Sequence, residues 1–143
     1  MNKKLLLSIA FTILISSLGF SQKIKLKKGK VLVDGKEILN YEKRGLGTEL
    51  ILYSLDSKDE IVNMFQENSG THSYLDDDYK KMFFTKDEIW VESSRVSNRG
   101  WKYMIKLLLE NNVLDNEGNI NSKNLKKFAK KYDENITNRT VRF

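Results

Sequence analysis

The chain's single histidine, His72, stands four residues ahead of Asp76-Asp77-Asp78, bringing side chains that could hold a cation or relay a proton into one short stretch. Clustered carboxylates suit hard cations, and an imidazole beside them would serve a metal-dependent enzyme or a small hydrolase. His72, Asp76 and Asp78, joined by Glu88, are therefore the candidate metal or acid–base set. The spacing argues the other way. Three consecutive aspartates point in different directions in a strand or open loop, so the run reads first as a solvated acidic turn. The chain has no cysteine and no Ser/His/Asp pattern, hence no nucleophile–base signature. No catalytic residue, no cofactor-binding residue and no cofactor is assigned, and His72, Asp76 and Asp78 stand as the alternative to a non-enzymatic reading.

Asp115-Asn116-Glu117-Gly118-Asn119-Ile120-Asn121 has the look of a calcium loop between two helices. Placing Gly118 at the invariant sixth position puts Val113 and Asn124 where acidic ligands are required, so the segment is a turn, with Gly118 supplying a left-handed conformation. Immediately after it, Lys123, Lys126, Lys127, Lys130 and Lys131 alternate with Leu125, Phe128, Ala129 and Tyr132 at helical spacing. This lysine face is the candidate binding surface, suited to acidic polymers or anionic lipid headgroups.

The elements that carry these residues follow from periodicity. From Lys23 to Glu42, apolar residues alternate with lysines and other polar groups, and Lys28-Gly29 and Asp34-Gly35 interrupt the alternation. This predicts three short strands, 23 to 28, 30 to 34 and 36 to 42, with Asp34-Gly35 as a two-residue hairpin turn. Leu50 to Leu55 reads as a buried strand. Residues 57 to 67 satisfy both a capping-box helix and a returning strand, and pairing with the preceding strand favours the strand. A further hairpin spans Lys81 to Glu92. Two helices follow, the first capped at Ser97 or Asn98 with a stripe of Trp101, Met104, Ile105, Leu108 and Leu109, the second starting at Asn121 or Ser122. Residues 133–143 are polar and expected to form a loosely ordered tail. The fold class is α+β: an antiparallel meander sheet of about six or seven strands followed by two C-terminal helices packing on it. Trp90, Phe83, Leu52, Trp101, Leu108, Leu125 and Phe128 are its expected core anchors.

Residues 1–21 supply the compartment. Lys3 and Lys4 precede an apolar run of roughly sixteen residues, shorter than the ~20 of a bilayer-spanning helix, and Gly19 and Ser21 are small residues suited to a cut before Gln22. We expect a cleaved signal peptide, one domain over 22–132, and no membrane-spanning segment after cleavage. Loss of Lys3 and Lys4 lowers the formal charge from +6 to +4. Export argues against a nucleic-acid partner for the basic helices, to which Arg95, Arg99, Lys102 and Lys106 also contribute. It also makes the missing cysteines informative, because burial alone must hold the fold.

Gln22 after Ser21, the segment KGKVLVDGKEI (28–38) and the segment LLLENNVLDNEGNINSKNLKKFAKKYDENI (107–136) resemble small signal-peptide-bearing proteins of unknown function from flavobacteria and related Bacteroidetes. The resemblance implies a Gram-negative periplasm or outer surface, a β-rich body and a C-terminal helical pair. The expected function is that of an exported cell-envelope protein, periplasmic or secreted, that binds an envelope protein or an acidic surface. The oligomeric state is left open.

Overall fold

Seven strands, each hydrogen-bonded antiparallel to the one before it, form a single sheet in the order β1 to β7. They are β1 (Ile24–Lys27), β2 (Lys30–Val33), β3 (Lys36–Arg44), β4 (Glu49–Ser54), β5 (Glu60–Glu67), β6 (Tyr79–Phe84) and β7 (Ile89–Ser93). Helices α1 (Trp101–Glu110) and α2 (Ser122–Tyr132) follow, then a short α3 (Ile136–Thr140). The computed structural model describes residues 21–68 and 77–140, so the signal-peptide reading lies outside the described residues. The predicted meander and helices are present, and residues 60–67 are strand.

Asp34 (φ 50) and Gly35 (φ 85) both occupy the left-handed region, as a hairpin turn matched to strand twist demands. One face of the sheet is mainly apolar: Leu50, Met64, Met82 and Val91 lie side by side across four strands, each fully buried. Met104, Ile105 and Leu108 of α1 and Leu125 and Phe128 of α2 complete that core. Burying one such side chain contributes roughly 1.5–3 kcal/mol.

Two expected anchors belong to the other face. Ile51, Asn63, Phe83 and Trp90 are cross-strand neighbours in the row that points away from the core. Trp90 is 44% exposed and lies 4.5 Å from the Phe83 ring, with Lys81 Nζ 4.7 Å above the indole. Trp101 is half-buried at the start of α1, its indole N–H donating to Gly47 O at 2.9 Å. Gly100, not Ser97 or Asn98, occupies the N-cap of α1, without a side-chain cap. Asn121 caps α2 through its side chain, which accepts from the Asn124 N–H at 2.9 Å.

Residues 133–137 of the segment expected to be a loose tail are docked along β7. Glu92 N–H donates to Asp133 Oδ1 (3.0 Å), and Glu134 N–H donates to Glu92 O (2.8 Å). The Glu92 carboxylate then receives the Thr137 N–H (2.7 Å) and hydroxyl (2.6 Å) at the start of α3, where a negative charge is favoured. Ser94 N–H and Oγ–H both donate to Glu134. Residues 133–137 thus close the edge of the sheet with polar bonds that hydropathy does not reveal.

Candidate functional site

Helix α2 carries a complete division of faces. At about 100° per residue, Lys123, Lys126, Lys127, Lys130 and Lys131 fall within an arc of roughly 140°, opposite Leu125, Phe128, Ala129 and Tyr132. All five lysines are exposed, while Leu125 and Phe128 are buried. The helix contains no acidic residue. The carboxylates that follow it face β7 instead: Asp133 and Glu134 are held by Glu92 N–H and Ser94. Among the described residues the ion pairs are Lys36–Glu117, Arg44–Glu42 and Lys106–Glu110, and none involves these five lysines.

The C-terminal end of the helix is anchored by a further cation. The Arg95 guanidinium donates to Lys131 O and lies 5.0 Å from the centre of the Tyr132 ring. A cation there complements the helix dipole, as do Lys130 and Lys131 in the last turn. The result is a straight basic edge roughly 12 Å long from Lys123 to Lys131, set by helix geometry and fixed to the body by its apolar face.

Of the alternative metal set, only Asp78 and Glu88 fall among the described residues. His72 and Asp76 lie outside the described residues, and Glu88 sits exposed in the β6–β7 turn with φ 53. Asp78 is half-buried, with Oδ1 lacking a hydrogen-bond partner, and its charge acts on Lys80. Among the described residues there is no group of three or more side chains arranged to hold a metal ion. The Asp115 turn matches its reading: Asp115 Oδ1 accepts the N–H groups of Glu117 and Asn119, both at 2.9 Å. Gly118 has φ +83 and is buried against β3, so close that a Cβ would lie 2.3 Å from Ile38 O. A cleft of about 500 Å3 opens beside this loop, bounded by β3, the β4–β5 turn and Lys86, and the Lys36–Glu117 ion pair (2.8 Å) is part of its wall.

Lys80 is a polar residue that hydropathy reading passed over. It shares the inward face of β6 with Met82 and Phe84 and is only 3% exposed. Its ammonium donates to Gln66 Oε1 (2.5 Å) and Ser97 O (3.0 Å) and lies 5.0 Å over the Trp101 ring. Burial pushes its pKa down to about 8, against the opposing pull of the Asp78 charge. It ties β5, β6, the 94–96 turn and α1 together at the rim of the core. No helix among the described residues is long and apolar enough to cross a membrane.

Comparison of the chain with protein-family models, curated proteins and solved structures finds no significant match.

Proposed function

We propose that this is an exported, non-enzymatic binding protein of the cell envelope that engages an acidic surface through the lysine face of α2. The observation that carries the reading is the set of five exposed lysines on one helix face with no ion-pair partner among the described residues. Basic residues near an anionic lipid surface contribute about 1 kcal/mol each, so five lysines supply useful affinity without a specific pocket. Export is supported by the composition of residues 1–21.

Sedimentation with vesicles tests the reading. Protein beginning at Gln22 is expected to pellet with phosphatidylglycerol-containing vesicles at low salt and to be released near 0.5 M salt, where the screening length falls to a few ångströms. Neutral phosphatidylcholine vesicles should not retain it, and the variant Lys126→Glu/Lys127→Glu/Lys130→Glu should lose binding. Equal retention of that variant, or equal binding to neutral vesicles, overturns the proposal. N-terminal sequencing of exported protein should begin at or next to Gln22; an intact Met1 would remove the compartment from the reading.

A further inference from the structure

The face of the sheet remote from the helices holds a shallow concavity of about 390 Å3, lined by Lys30, Asn40, Tyr53, Leu55 and Lys58. We infer that this concavity binds a small organic anion whose ring lies against Tyr53 and Leu55 while its phosphate or carboxylate meets Lys30 and Lys58. Register places the site. Lys30 pairs with Asn40 and Asn40 with Tyr53, so side chains from β2, β3 and β4 stand in one row on the outward face. Lys58 arrives from the β4–β5 turn, where its backbone takes φ +59, a conformation unusual for a non-glycine residue.

The chemistry of the lining has one sign. Among the described residues that line the concavity, both charged side chains are lysines and none is a carboxylate. Neither lysine forms an ion pair among the described residues. Two carboxylates of the outer face already hold donors: Glu42 receives two bonds from Arg44 (3.1 Å each) and one from the Tyr53 hydroxyl (3.0 Å), and Glu60 accepts from Asn63 (3.2 Å).

Lys30 is also held in place. Its ammonium donates to Asn40 Oδ1 at 2.6 Å, and the Asn40 amide in turn donates to Ser54 O at 3.0 Å. A half-buried cation fixed by a neutral amide retains donors for an incoming anion, and fixing it in advance reduces the ordering cost of binding. The Tyr53 ring and Leu55 add an apolar wall, and the Tyr53 hydroxyl is anchored by its bond to Glu42. A volume near 400 Å3 falls in the range of small-molecule sites and is far more than an inorganic ion fills, which selects a ring-bearing anion of monosaccharide size.

Titration of isotope-labelled protein with glucose 6-phosphate, glucuronate, glucose and inorganic phosphate, followed by NMR, tests the inference and separates the two anionic groups. The expected result is saturable shifts at Lys30, Asn40, Tyr53 and Lys58 with glucose 6-phosphate, glucuronate or both, at least tenfold tighter than with glucose or inorganic phosphate. Lys30→Gln/Lys58→Gln, which keeps polar groups but removes both charges, should weaken that binding at least tenfold. Lys126→Glu/Lys127→Glu/Lys130→Glu should leave it unchanged, which separates this site from the α2 face. No saturable shift with either ring anion, shifts centred on α2, or unchanged affinity in the folded double variant overturns the inference.

Discussion

Stability should climb with pH on the alkaline side of neutrality, and Lys80 should be the cause. In the unfolded chain this lysine holds its proton up to its ordinary value of 10.5, whereas in the fold burial brings it to about 8. Between these values the unfolded state binds more protons, so the folded state gains as pH rises. At about 1.4 kcal/mol per unit of displacement, the climb from pH 7 to 9.5 amounts to roughly 2 kcal/mol. The window stops at 9.5 because Tyr53, raised by burial and by its bond to Glu42, acts in the opposite direction above its unfolded value of 10.0. Urea unfolding followed by tryptophan fluorescence at four pH values measures the slope. In Lys80→Met the climb should vanish, although Gln66 Oε1 and Ser97 O lose their donor and lower the stability at every pH. If that variant is too unstable to measure, an NMR titration of the Lys80 ammonium in the parent serves instead. An equal slope in the variant, or titration of Lys80 at 10 or above, refutes the reasoning.

Gly118→Ala should cost about 2–3 kcal/mol, since it adds a Cβ 2.3 Å from Ile38 O at φ +83; an unchanged denaturation midpoint would show that the loop does not press on β3. Phe128→Ala should cost ~3–5 kcal/mol. Trp90→Ala should cost about 1 kcal/mol, because the 44%-exposed indole loses mainly its stacking on Phe83 and its contact with Lys81; similar losses for the two would contradict the division of faces. Burial raises the Glu134 pKa, but the bonds donated by Ser94 outweigh it and leave it below 4.5, so its contribution is present above pH 4.5 and lost as pH falls through the folded value. The Ser94 amide shift should report that transition in NMR and should stop doing so in Glu134→Gln.

Where the sequence carried a clean period, the elements were readable. The alternation from Lys23 to Glu42 and the Asp34-Gly35 turn predict β1 to β3, and the heptad-like spacing after Asn121 predicts α2 with its lysine face. Face assignment failed where both sides of a strand are apolar. In β6, Met82 and Phe84 point inward and Phe83 outward, so residue type alone cannot say that Trp90 belongs with Phe83 on the open side. Lys80 did leave a signal, as a lysine two residues from Met82 in an inward-facing series. The docking of Asp133, Glu134 and Thr137 left none, because side-chain to main-chain bonds have no period. The Lys30–Asn40–Tyr53 row depends on the register of three strands and on the irregularity between Val31 and Leu32, which no linear pattern encodes.

Because strands pair only with their neighbours in the chain, the sheet can grow in the order in which the chain is made, each new strand finding its template already laid down. Such short-range closures are entropically cheap and fast. The last step is different in kind: Glu92 waits for Asp133, Glu134 and Thr137, more than forty residues later in the chain. Until those residues arrive, β7 is an open template for any other extended chain, and the docking of Asp133, Glu134 and Thr137 is what ends that exposure.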